Sequence, residues 1–200
     1  MRGARPLDQN EVKQVADLLN PRDKALFLLG IYTGLRISEL LSLTVADIRD
    51  PVSFVVRKEL YLKRKNTKGK TSGRSIPIHP QAQSALLDWL RVYPQNHWVG
   101  TGTPLFLSAK TRQVQGIPNV PKPISRVQAW RILNSAFIRT GLAGKLGTHA
   151  LRKTFAKGVY ERSGKDLLVT QKALGHTAVS TTVDYLSFND QDVRDAILGA

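Results

Sequence analysis

One island of strand-forming sequence, between residues 52 and 79, sits in a chain whose remaining patterning is helical. That contrast limits the fold more than any other feature. VSFVV (52–56) and ELYL (59–62) are rich in β-branched and aromatic residues, and RSIPIH (74–79) follows, so the island reads as a small antiparallel sheet. Between its last two strands lies KRKNTKGKTSGR, where Lys63, Arg64, Lys65, Lys68, Lys70 and Arg74 stand with no acid and two glycines supply the turn.

Helical periodicity and end signals organise the rest. Asn10 is placed to cap a helix with Val12, Val15, Ala16 and Leu19 on one face, closed by Pro21. A second helix carries Ala25, Leu26, Leu28 and Leu29 and stops near Gly34, and a short one covers about 38–43. Pro80 suits the first position of a helix through Trp89 and Leu90. Residues 94–123, rich in Pro and Gly, read as a long connection with one strand-like piece at 105–107. Ser125 caps a helix presenting Trp130, Leu133 and Phe137 and ended by Gly141; Thr148 caps the next, with Leu151, Phe155 and Val159 as its buried stripe. Further helices run from about 165 to Gly175, through Tyr185, and across 190–198. The expected class is α+β, mainly α-helical, with a small antiparallel three-stranded sheet.

Charge narrows the partner. Thirty Lys and Arg face fifteen Asp and Glu in 200 residues, a net +15, which points to a polyanion and to nucleic acid ahead of a membrane surface. With no cysteine there is neither a disulfide nor thiolate chemistry. No apolar run approaches a membrane span and no signal-peptide core is visible, so the expected location is cytoplasmic, with the nucleoid.

Seven polar residues can carry chemistry. His149 and Arg152, three apart in a first helical turn, share a face where free backbone N–H groups favour an anion; by itself H-x-x-R reads first as a surface His and an Arg with an acidic neighbour. Arg36 follows the turn signal Thr33-Gly34-Leu35, with Glu39 three residues on, which alone reads as a structural ion pair. Two arginines from distant segments can also clamp one phosphate and stabilise its charge under attack. His176 follows a helix-ending glycine, where a C-terminal dipole partner is the plainer reading. Tyr185 in TTVDYL reads as a packing residue or as a nucleophile that must lose its proton as it attacks. Lys68 and Lys70 either contact phosphates loosely or supply a general acid.

Taken together, these pieces resemble the tyrosine recombinase (phage integrase) family and its catalytic-domain fold. The order matches: Arg36 in TGLRISEL, Lys68 in a basic hairpin ending in I-P, H-x-x-R at His149 and Arg152, L-G-H at His176, then Tyr185 nine residues on. The resemblance implies that Tyr185 attacks the scissile phosphate of double-stranded DNA and forms a 3′-phosphotyrosyl link. It implies that Arg36 and Arg152 bind nonbridging oxygens, Lys68 protonates the leaving 5′ oxygen, His149 assists proton transfer at the phenol and His176 hydrogen-bonds the phosphate. Glu39 supports Arg36, and Lys63, Arg64, Lys65, Lys70 and Arg74 contact DNA. No cofactor and no metal is implied, consistent with the lack of a P-loop or an acidic metal cluster in the sequence.

The hairpin is one residue longer between Lys68 and Pro77 than the common family spacing, which keeps Lys70 a rival for the acid. Residues 1–186 are expected to form the catalytic domain and 187–200 a tail whose Val193, Ala196, Ile197 and Leu198 suit docking on a neighbouring subunit. The family's N-terminal DNA-binding domain is expected to be absent. The resemblance further implies a tetramer on DNA, with a monomer in solution as the alternative. Competing functions are a non-catalytic DNA-binding accessory protein, a type IB topoisomerase-like relaxing enzyme and a basic RNA-associated protein; the last explains the charge but not the ordered polar set.

Overall fold

The computed structural model describes residues 3–50, 52–53, 55–62, 73–94, 102–109, 112–114, 117–186 and 198, with the side chains of 112–114, 117–120 and 184 left aside. Lys63, Arg64, Lys65, Lys68 and Lys70, and all of the 187–200 tail except Leu198, lie outside the described residues.

Helix α1 (Gln9–Leu18) begins two residues earlier than the Asn10 cap implies. Asp8 accepts from the Glu11 N–H at 2.8 Å and Glu11 returns a bond to the Asp8 N–H, so two free donors are satisfied at once and Asp8 wins the cap. Pro21 does not close α1 but opens α2 (Pro21–Thr33), capped by Asn20. Helix α2 is the axis of the domain. Ala25 through Ile31 are all buried, so the helix is apolar on every side and must be surrounded. It packs against α1, α3 (Ile37–Leu41), α5 (Pro80–Arg91) and α7 (Thr148–Arg162). Each fully buried Leu or Phe along it contributes about 2 kcal/mol of apolar transfer.

Two glycines set the spacing that the site depends on. A Cβ on Gly30 would lie 2.8 Å from Leu151 Cδ1, so its absence lets α7 close on α2. Gly34 ends α2 in the left-handed region at φ 61°, and the Phe155 ring occupies the space where a side chain would stand.

Strands β1 (Glu59–Leu62) and β2 (Arg74–Pro77) pair antiparallel, Leu60 opposite Ile76, with one face buried and the other exposed. Among the described residues this sheet has those two strands. In the VSFVV stretch, Asp50 accepts from the Val52 and Ser53 N–H groups and turns the chain back, so Val56 bridges Arg49 at the end of α4 (Val45–Ile48). The described part of the 94–123 connection is anchored on α5 and the residue pair that follows it. Trp89 Nε1 donates to the Leu105 carbonyl at 2.8 Å and the Tyr93 hydroxyl donates to the Pro104 carbonyl at 2.7 Å. It also holds a second hairpin, β3 (Arg112–Val114) with β4 (Ile117–Val120), which Pro118 disguises because proline is tolerated in a strand only at an edge or bulge.

Helix α6 (Arg126–Arg139) is capped by Ser125 as expected, but Trp130 faces outward at 47% exposure while Ala129, Leu133, Ala136 and Phe137 fill the core. Helix α7 takes its cap from Gly147 rather than Thr148, without a side-chain bond. Its buried face is also rotated from the expected stripe: Ala150, Leu151, Arg152 and Ala156 point inward, and Phe155 and Val159 are half-buried. The rotation is what carries an arginine into the core. Helices α8 (Leu167–Leu174) and α9 (Val179–Leu186) pack on α7 and on each other.

Candidate functional site

Arg152 is the centre of the site. It is 2% exposed, and a buried guanidinium needs acceptors to offset its lost hydration. Nη1 donates to the Gly34 carbonyl. Nη2 donates to the Leu174 carbonyl at 2.9 Å and faces His176 Nε2 at 3.0 Å. Both carbonyls stand at helix ends, where the last carbonyls lack intrahelical partners. Each helix ends in a left-handed glycine, Gly34 after α2 and Gly175 after α8. Nε, in contrast, is buried and has no hydrogen-bond partner among the described residues. Burial lowers the Arg152 pKa to about 10, helped by Arg36 and opposed by Tyr185 and Glu39, so the group stays cationic at neutral pH.

Arg36 heads α3, beside Gly34, with a side chain about half exposed. Glu39, buried at 5%, accepts from the Arg36 backbone N–H at 2.7 Å and from Nη1 at 3.4 Å. A single buried carboxylate thus stands among cations from three segments, since Arg74 feels its charge as well. Arg74 does not project from the hairpin towards solvent. Its Nη1 donates to the Ala173 carbonyl at 2.9 Å, and burial together with Arg36 pulls its pKa down against the opposing effect of Glu39. Arg74 and Arg152 between them cap the last turn of α8.

That capping places the loop that follows. His176 donates its backbone N–H to the Gln171 carbonyl at 3.1 Å, closing the helix end. Its imidazole lies between Arg152 and Thr182, whose hydroxyl is 3.0 Å from Nδ1. Tyr185, one turn beyond Thr182 on α9, sets its ring 5.1 Å from the His176 ring, tilted 57°, and 5.6 Å from Arg152 Cζ. His149 is exposed in the first turn of α7, one turn before Arg152 on the same side.

Of the residues named from the sequence, the structure gathers Arg36, Glu39, Arg74, Arg152, His176 and Tyr185, and leaves His149 exposed one turn before Arg152. Thr182 and the Gly34 and Leu174 carbonyls were not foreseen. The left-handed glycines are the one sequence signal for the carbonyls; Thr182 had none beyond its spacing from His176 and Tyr185.

The assembly therefore sets a cluster of cationic side chains beside a phenol, from segments as far apart as residues 36 and 185, with one guanidinium N–H buried and unpartnered among the described residues. No group of three or more His, Asp or Glu side chains suited to a metal gathers among the described residues, and no helix among them is long and apolar enough to cross a membrane.

Comparison with known proteins converges on one group. The model of the phage integrase family matches residues 5–192. A probable integrase/recombinase, YoeC of Bacillus subtilis, is 35% identical over 186 residues, covering 93% of this chain and 88% of that protein. Tyrosine recombinase XerD of Corynebacterium glutamicum is 32% identical over 187 residues, covering 93% of this chain but 55% of its own length. Among solved structures, the XerA recombinase superposes over 100% of this chain and 66% of that one, with a TM-score of 0.73 at 22% identity, a likeness of fold.

Proposed function

This chain belongs to the phage integrase family, and from that premise we propose that it is a site-specific DNA recombinase that cuts and rejoins strands through Tyr185. The observation that carries the reading is the Arg152 guanidinium, buried between two helix ends against the Tyr185 ring, with Nε–H lacking a partner among the described residues. An unsatisfied buried donor costs about 1–3 kcal/mol. A phosphate oxygen relieves that cost, and it does so next to the phenol.

The Tyr185 oxygen forms a bond to the scissile phosphorus while the bond from phosphorus to the 5′ oxygen breaks, leaving a 3′-phosphotyrosyl link and a 5′-hydroxyl. The phenol proton passes to His149, and the leaving oxygen takes a proton from Lys68, with Lys70 as its rival. Charge on the nonbridging oxygens grows in the transition state, and Arg36, Arg152 and His176 face it from fixed positions. Glu39 holds Arg36 and leaves the cluster with Arg74 and Arg152 cationic in sum. The 5′-hydroxyl of a second strand then attacks the link, the tyrosine leaves and regains its proton, and the energy of the original bond is retained. Four copies on two paired duplexes perform the full exchange.

The test is a duplex library with nicks near candidate sites, so that cleavage releases a short fragment and traps the protein. Wild type forms a covalent adduct resistant to denaturant, and sequencing the break gives the site. Tyr185→Phe binds but forms none; an adduct that survives the substitution refutes the assignment. Salt-sensitive binding with no adduct from wild type supports the accessory-protein reading instead.

A further inference from the structure

Threonines in helices usually turn the hydroxyl back to the carbonyl four residues earlier. This protein follows that habit repeatedly: Thr33 bonds Leu29, Thr140 bonds Ala136, Thr154 bonds Ala150 and Thr170 bonds Asp166. Thr182 breaks it. Its side chain is fully buried, and its hydroxyl lies 3.0 Å from Nδ1 of His176, six residues back.

The other ring nitrogen fixes the proton. Arg152 can only donate, so at 3.0 Å His176 Nε2 must present a lone pair. The imidazole is then neutral and carries its proton on Nδ1, which donates to the Thr182 oxygen. A DNA phosphate asks for the opposite arrangement, because its oxygens only accept and Nε2 must become the donor. A hydroxyl can meet both demands, since it accepts from Nδ1–H in one state and donates to the Nδ1 lone pair in the other. A carbonyl or a carboxylate in its place would hold the proton on Nδ1 in every state.

We propose that Thr182 is a positioning residue whose hydroxyl lets His176 exchange tautomers when the phosphate arrives, moving one ring proton from Nδ1 to Nε2 with solvent as carrier and no net proton change. The inference rests on the reading of His176 and Tyr185 given above. It also accounts for the placement of α9. Thr182 and Tyr185 lie three apart on one face of that helix, so the bond to His176 sets the height of the phenol against the Arg152 guanidinium. The chain of contacts runs from α9 through the imidazole and Arg152 to the Gly34 carbonyl at the end of α2. Arg152 and Tyr185 face the ring, and the charges of Arg36, Arg74 and Glu39 act on Arg152.

Two measurements test this. In the first, protein labelled with nitrogen-15 in its four histidines is studied with His176→Gln to assign the resonance. The free protein shows His176 protonated on Nδ1, and the complex of Tyr185→Phe with the nicked duplex shows the proton on Nε2. A free protein protonated on Nε2, or a complex that keeps the Nδ1 form, overturns the proposal. In the second, single-turnover adduct formation is followed in Thr182→Val and Thr182→Ser, with DNA affinity and thermal midpoint recorded alongside. Valine, of similar size but without the hydroxyl, slows trapping about tenfold to a hundredfold, the usual effect of removing a partner that orients a functional histidine. Serine restores most of the rate. A folded valine variant as fast as wild type, or a folded serine variant as slow as valine, refutes the role of the hydroxyl. If wild type traps no DNA at Tyr185, the recombinase reading fails instead, while the tautomer of the free protein still decides the Thr182 contact.

Discussion

Gly34→Ala probes the junction on which the site is built. Two costs arise, and the structure separates them. At φ 61° a residue with a Cβ sits in the left-handed region, at a cost of about 1–2 kcal/mol. The added Cβ would also stand 2.2 Å from Phe155 Cδ1 and 2.7 Å from its Cγ, well inside contact distance, and overpacking of this kind costs about 1–3 kcal/mol more. Gly141 supplies the control. It has φ 67°, and nothing lies within 4 Å of its Cβ position, so Gly141→Ala bears the backbone cost alone. Urea unfolding at neutral pH should therefore show Gly34→Ala losing more stability than Gly141→Ala, by about the overpacking term. The excess should couple to Phe155. In a double-mutant cycle, Gly34→Ala in a Phe155→Ala background should cost no more than Gly141→Ala does in wild type. Because the Gly34 carbonyl holds Arg152, trapping should fall in Gly34→Ala and recover partly with Phe155→Ala. Equal losses at the two glycines, or the absence of coupling to Phe155, would refute the account of this junction.

Arg152→Lys keeps the charge but cannot reach the Gly34 and Leu174 carbonyls together, so it should lower stability by about 1–3 kcal/mol for the acceptor left bare. It should also cut single-turnover trapping about a hundredfold or more, because a preorganised donor is lost; a stable variant of near wild-type rate would contradict the central place given to Arg152. Glu11 is held below the usual carboxylate range, first by its hydrogen bond from Arg5, whose Nη1 and Nη2 reach it at 2.8 and 2.6 Å. A depressed pKa contributes stability above the ordinary value of 4.5 that disappears as pH falls through the lower folded-state value. Glu11→Gln should therefore be less stable than wild type at pH 7 and converge with it in acid, as read from urea midpoints across that range; parallel curves would show that the pair does not act this way.

Where the chain was legible, a local rule had no competitor. Gly34 and Gly175 ended helices because few other residues accept a left-handed backbone, and Ser125 capped α6 because its hydroxyl reaches the Gln128 N–H. The alternation of ELYL fixed which side of β1 faces the core. Where two local rules competed, the outcome was still written nearby. Both Asp8 and Asn10 can cap, and Glu11 decides for Asp8 by returning the second bond. Trp130 lost the core to Ala129 and Ala136 because small side chains let α6 lie close to its neighbours, an outcome that an apolar stripe alone does not encode.

The candidate site was legible in composition but not in geometry, and Arg152 shows why. Helical periodicity assigns an arginine to the solvent side, and its usual preference is the same. Its burial becomes tolerable only after two carbonyls, one 118 residues before it and one 22 residues after, have been left exposed at helix ends and brought within reach. Neither carbonyl has a side chain through which sequence could announce it. Both exist because a glycine stops each helix, and the Gly34 carbonyl comes within reach of Arg152 because Gly30 lets α7 approach α2 closely. The residues proposed to react can therefore be named from spacing, whereas the groups that aim them are mostly backbone atoms and small residues. It follows that substitutions at Gly30, Gly34 or Gly175 should disable the proposed site about as surely as substitutions of Arg36, Arg152 or His176, and without altering any side chain to which chemistry is assigned.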